Sequence, residues 1–278
     1  MKNAVKLFTF LVLAFLLIYS TSASMPVPFS IIVELLAFAL PVGVGYAASR
    51  RYKQEREEVA GVAERESTLL GLSGDSARDI LPTIAPTLSV IFLVSFLTSL
   101  LLGALGLSGR TVEDAPLFEM ILIHALMPAL LEEALFRYLP MKLIAPYSKR
   151  WCVLLSSSYF ALIHMNLFQL PYAFLAGLIF IVIDIAADSV LPSLILHFVN
   201  NVISVLWIKY SADGVFVLWY LVIMISLSLV GLAFIFLRRK KYIALIKGVY
   251  EDGEPLTEVY APVLLVCFTL TMTVMNLF

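Results

Sequence analysis

Three charged side chains stand where an apolar helix tolerates few: Glu132, Glu133 and Arg137, within LLEEALFRYLP at 130–140. A charge near the centre of a bilayer costs at least ~2.5–3.5 kcal/mol even on the lenient insertion scale, so each must pair or face a wet cavity. Glu133 and Arg137 are four apart, acid before base, and share one helix face. Glu132 is turned about 100° from Glu133. One carboxylate therefore has a partner on its own helix, and the other faces something else. That asymmetry makes Glu133–Arg137 the scaffold and Glu132 the working group. An ion-pair lock between helices, or a carboxylate on an ion path, would use the same residue types.

Two of the three histidines in the chain extend the pattern. His164, in SSSYFALIHMN, lies one turn beyond Phe160. His197, in LPSLILHFVNN, points the same way as Asn201, four residues on. A lone histidine on an apolar helix is ordinarily a satisfied core residue. Three separate segments, each offering a catalytic type of side chain to one apolar bundle, make a stronger pattern, because bundle cores are where sites are built from facing helices. The third histidine, His124, two turns before Glu132, reads as a packing or pore-rim residue. Asp188 with Ser189 reads as a helix N-cap before Pro192. Cys152 and Cys267 fit no metal or disulfide spacing and read as packing residues.

The elements that must position these groups are membrane helices. The chain has 278 residues, 61% hydrophobic and only 14% charged, against roughly a quarter charged in a soluble domain. At about 20 apolar residues per span, nine candidates follow: 4–20, 29–49, 83–107, 117–139, 152–168, 170–187, 190–208, 215–237 and 260–278. The expected fold is an all-α, polytopic transmembrane bundle of eight or nine helices with its site in the bundle core. Residues 1–24 have a basic start, an apolar run and a small-residue end. They read as a first helix or, alternatively, as a cleaved signal peptide. With the N-terminus inside, sixteen Lys and Arg fall on inner segments and two on outer ones, the asymmetry expected of cytoplasmic basic loops. The charged stretch 50–80 reads as a solvated connection, and RRKK at 238–241 as an anchor to anionic headgroups. Glu132 and His197 come out roughly 10–12 Å from the inner ends of their spans, whereas His164 comes out about 18 Å from Trp151.

With the residues in place, a resemblance becomes specific. E-E-x-x-x-R (Glu132, Glu133, Arg137), F-x-x-x-H (Phe160, His164) and H-x-x-x-N (His197, Asn201) occur in order on successive helices. This resembles the CAAX prenyl endopeptidase and bacteriocin-processing (CPBP, Abi) family of intramembrane proteases. FQLPYAFLAG at 168–177 and SVLPSLILHFVNN at 189–201 are similar to its usual text. The similarity covers roughly 115–205 and suggests three regions: N-terminal helices at 1–114, a protease core at 115–208 and C-terminal helices at 209–278. One departure is IVIDIAADS at 181–189, with Asp184, Ala187 and Asp188 where relatives often carry a basic residue and a Gly-Ser turn. It leaves the catalytic set intact and bears on the substrate entrance.

The resemblance implies hydrolysis of a peptide bond in a membrane-associated substrate, CAAX-like or leader-type, at the plasma membrane. In that scheme Glu132 is general base to a water that His164 helps hold, and His197 with the Asn201 amide forms the oxyanion hole. Glu133, Arg137 and Phe160 support them. No metal is expected; the alternative is a zinc site on Glu132, His164 and His197, although no H-E-x-x-H is present. No nucleic-acid motif is found, and the oligomeric state stays open. The rival classes are an ion-coupled transporter, which would show duplicated halves that this chain lacks, and a non-catalytic scaffold or immunity protein.

Overall fold

The computed structural model describes residues 1–22, 25–60, 81–104, 115–166, 168–250 and 260–275. Most of the charged stretch expected to be a solvated connection, 61–80, lies outside them. Nine helices are found among the described residues: α1 (Lys2–Ser22), α2 (Val27–Ala60), α3 (Ile84–Ala104), α4 (117–143), α5 (Lys149–Leu162), α6 (Leu170–Ala187), α7 (Leu191–Tyr210), α8 (Gly214–Tyr250) and α9 (Tyr260–Met275). The architecture is an all-α bundle, and no strand occurs among the described residues. Six helices, α1, α2, α3, α6, α7 and α8, are long and apolar enough to cross a membrane. The chain is an integral membrane protein.

Two helices outrun their expected spans. α2 continues through the polar residues 50–60, where Arg51–Glu55 at 3.3 Å and Lys53–Glu57 at 3.6 Å support it with pairs four apart. α8 runs on through RRKK to Tyr250. The first helix is packed into the core: Val5, Phe8, Val12 and Phe15 are buried, and Thr9 Oγ1 and Tyr159 OH lie 2.8 Å apart in a buried hydrogen bond.

α4 carries the paired glutamates and is not regular. π-helical turns at Leu122–Leu126 and Ala134–Tyr138 interrupt it, each followed two residues later by a proline, Pro128 and Pro140. Proline cannot donate to the carbonyl four residues back and clashes with it, and a wider turn absorbs that clash. For Pro140 the carbonyl concerned is that of Phe136. It accepts instead from the buried Ser156 hydroxyl of α5 and, at 3.4 Å, from Arg137 Nη1. Serine side chains commonly rescue such freed backbone groups inside membranes. The proline therefore ties α4 to α5 beside the glutamates.

α5 is shorter than the expected span 152–168. It has 14 residues, about 21 Å at 1.5 Å per residue, well short of a hydrocarbon core of ~30 Å. The chain leaves the helix after Leu162, with Met165 at φ 45°. Asn166 Oδ1 accepts from Phe168 N at 2.9 Å, and Asn166 O accepts from Gln169 N and Leu170 N, which starts α6. His164 thus sits in a turn at the far end of a short helix.

Gly177 brings α6 against α5: a Cβ there would lie 3.0 Å from Ser157 Cα. The α6–α7 corner corrects one expectation. Asp188 is the left-handed C-cap of α6, at φ 52° and ψ 35°, not an N-cap of α7. Ser189 Oγ does accept from Leu191 N at 3.2 Å. The buried Asp184 Oδ1 accepts from Ser193 N at 3.1 Å and supplies the remaining cap from the preceding helix. The corner is too tight for Asp188 to turn back on α7, so the aspartate one turn earlier does so.

Candidate active site

α4 and α7 meet at His197. Its Nδ1 lies 2.7 Å from Glu133 Oε1, and its Nε2 lies 3.7 Å from Glu132 Oε2. Glu133 Oε2 is in turn 3.2 Å from Arg137 Nε, with both side chains completely buried. The carboxylates of Glu132 and Glu133, although 100° apart on their helix, take one nitrogen each of the same imidazole. The expected Glu133–Arg137 scaffold is present, and it reaches further than expected, to His197. Glu132 keeps 16% of its side chain exposed against none for Glu133.

Phe160 occupies the centre. The Arg137 guanidinium lies 4.2 Å from its ring centroid. The rings of His164 and His197 meet it edge-on at 5.1 and 5.5 Å. A cation over a desolvated aromatic face gains up to about 2 kcal/mol, part of the cost of burying Arg137. His164 Nδ1 is 2.7 Å from the Phe160 carbonyl. A carbonyl only accepts, so Nδ1 carries a proton; in the neutral form of the ring that leaves Nε2 as the acceptor. Glu132 acts electrostatically on His164. The two imidazoles therefore flank one apolar wedge, with the same carboxylate near both.

Asn201 is half-buried one turn beyond His197 on α7. Its Oδ1 accepts from Asn200 Nδ2 at 3.4 Å, which leaves its own amide nitrogen as the donor. His124 is exposed on α4 and stands apart from this cluster.

Three further side chains join the cluster, of which the sequence marked only Asp184, as a departure from the family pattern near the substrate entrance. Phe180 of α6 packs 5.6 Å from the Arg137 guanidinium and 6.0 Å from the His197 ring. Asp184, one turn on, is fully buried and interacts with Glu133. Ser193, one turn before His197, faces both carboxylates. A signal existed: Phe180/Asp184 and Ser193/His197 repeat the spacing of four that marks the other motif pairs.

The buried side-chain atoms without a hydrogen-bond partner among the described residues all lie here: Glu132 Oε2, Glu133 Oε2, Arg137 Nε and Nη2, and Asp184 Oδ2. Natural interiors leave few such groups unsatisfied. Two of them, Glu133 Oε2 and Arg137 Nε, nevertheless face each other as an ion pair at 3.2 Å. Among the described residues no three His, Cys, Asp or Glu side chains are grouped to hold a metal ion. His197 spends one nitrogen on Glu133 and turns the other to Glu132.

Fold and site together define a membrane-embedded helical bundle with a buried Glu–His–Glu–Arg cluster. Residues 114–203, which carry all of α4 to the middle of α7, match the family model described as Type II CAAX prenyl endopeptidase, Rce1-like. That match supports an intramembrane endopeptidase in general. No curated protein and no solved structure matches the chain.

Proposed function

We propose that the chain is an intramembrane endopeptidase that uses a glutamate-activated water to cut membrane-associated peptides, with prenylated C-terminal segments as the substrate class. The observation that carries this reading is the clamp on His197, 2.7 Å from Glu133 and 3.7 Å from Glu132. Glu132, the more exposed carboxylate, takes the proton of the attacking water. His164 Nε2 accepts a hydrogen bond from that water and orients it. His197, oriented by Glu133 at Nδ1, turns Nε2 from Glu132 to the oxyanion as the first donor. Asn201 Nδ2 is the second oxyanion donor. Losing one such donor costs about 2.7–4 kcal/mol of barrier, or 10²–10³ in rate.

Arg137 offsets the charge of Glu133, which stays a fixed base for His197 and not a rival for the water's proton. Each step draws only on side chains of this chain. We therefore expect cleavage to withstand a chelator titration, with metal analysis of the purified protein showing no stoichiometric zinc; loss of activity restored by zinc would reverse that expectation. The decisive test is Glu132→Gln. The variant should insert and fold, and cells carrying it should accumulate uncut membrane peptides relative to wild type by peptide mass spectrometry. Cleavage by Glu132→Gln at the wild-type rate sinks the assignment.

A further inference from the structure

A second cavity lies apart from the catalytic cluster, at the end of the bundle where the basic residues gather. Its volume is about 580 Å³, and it opens between the polar half of α2, the α4–α5 turn and the end of α6. Arg50, Lys53, Arg56, Lys142 and Lys149 line it, with Asp188 as the one carboxylate in the lining. A basic belt that only follows the positive-inside tendency would splay outward along a flat rim. Here the cations converge on a hollow from three helical segments.

Several of the side chains are held in position. Arg56 Nη1 is 3.4 Å from Tyr147 OH, and its guanidinium lies over that ring at 5.1 Å. Lys142 lies over the Tyr138 ring at 5.3 Å, and Lys53 is 3.6 Å from Glu57. Such anchoring removes part of the side-chain entropy that binding would otherwise cost. Between the cations the wall is apolar, with Met141 and Ile185 among its residues. A free phosphate ion needs only the cations. A cationic rim around an apolar wall suits an amphiphile, and basic pockets between membrane helices on the cytoplasmic side are where anionic headgroups bind.

We propose that this cavity is a binding site for a phosphate-bearing headgroup of an anionic phospholipid, with its glycerol and first acyl carbons against the apolar wall. The proposal rests on the basic end of the bundle facing the anionic leaflet and is independent of the catalytic reading. Occupancy would neutralise the clustered cations and tie α2, α4 and α6 together at one point.

The test uses the full chain in phosphatidylcholine nanodiscs, with phosphatidylglycerol added as the probe. Native mass spectrometry of the released protein should show about one retained phosphatidylglycerol per chain. In Arg50→Gln/Lys53→Gln/Lys149→Gln, apparent affinity should fall at least tenfold. Arg239→Gln/Lys240→Gln/Lys241→Gln, which removes the same charge from the end of α8, should leave it unchanged. If the first variant is too unstable to purify, the single Lys149→Glu change should produce the same loss, and Lys53→Arg/Lys149→Arg should retain binding. Equal loss in the α8 variant, or retention in the pocket variants, overturns the site. Inorganic phosphate in pure phosphatidylcholine discs should give no thermal protection. Protection by phosphate alone, with no further gain from phosphatidylglycerol, overturns the assignment to lipid.

Discussion

Glu132 and Glu133 are neighbours with opposite environments. Glu133 is fully buried between a guanidinium and an imidazole, whereas Glu132 shares the same imidazole from a partly exposed side. The two glutamine variants should therefore separate activity from stability. Glu132→Gln should lose cleavage with little change in Tm. Glu133→Gln should lose cleavage and also destabilise by about 3–5 kcal/mol, because it strands a buried Arg137. Thermal unfolding of the two proteins in the same detergent checks this; equal Tm values would contradict the division. At this scale the sequence was informative where a side chain is costly in lipid: Glu132, Glu133, Arg137, His164 and His197 all cluster in the structure. The places of Asp184 and Ser193 in the cluster were missed for a physical reason. An aspartate near a helix end, or a serine within a helix, carries little penalty in a sequence window, and only the packing of α6 on α7 shows each of them to be fully buried.

Among the elements, the α6–α7 corner aims His197. Asp184 caps the first turn of α7 through Ser193 N, and His197 lies one turn further along the same face. Asp184→Ala should lower stability by about 0.5–2 kcal/mol, the usual worth of a lost cap, and should reduce the cleavage rate. Asp184→Asn keeps an oxygen acceptor and should restore most of both, as measured by Tm and turnover side by side; equal damage by Ala and Asn would mean the charge, not the cap, matters. The same scale shows why some boundaries were not legible. The expected span 152–168 followed apolar composition, but Met165 and Asn166 break the helix early and form a turn held by the Asn166 side chain. The π turns of α4 leave no hydropathy trace. Their marks were Pro128 and Pro140, each inside an otherwise continuous apolar run.

For the whole molecule, the apolar runs made the helices readable, but of the nine spans expected only six correspond to described helices long and apolar enough to cross a membrane. Their mutual packing was not readable, since lipid-facing and helix-facing residues are equally apolar in a membrane bundle. The distribution of Lys and Arg predicts an orientation, basic loops on the cytoplasmic side, that is open to a direct experiment. In a Cys267→Ser background, which removes the exposed native thiol while leaving Cys152 buried, Lys149→Cys should react with an impermeant maleimide only after the cytoplasmic side is opened. Asp213→Cys should react from intact cells; the reverse pattern would invert the bundle.

The hydrogen bond from α1 to Tyr159, next to the aromatic wedge of the site, bears on how far the matched stretch is self-sufficient. Residues 114–203 hold the clustered glutamates and histidines, yet Thr9 satisfies a phenol inside that stretch, and Phe8 stacks on the same ring at 5.4 Å. Cut free of its flanking helices, the segment would bare a hydroxyl and an aromatic face to lipid directly behind Phe160. The packed unit around the cluster is accordingly larger than its signature, with its outer wall contributed by sequence that bears none of the motifs.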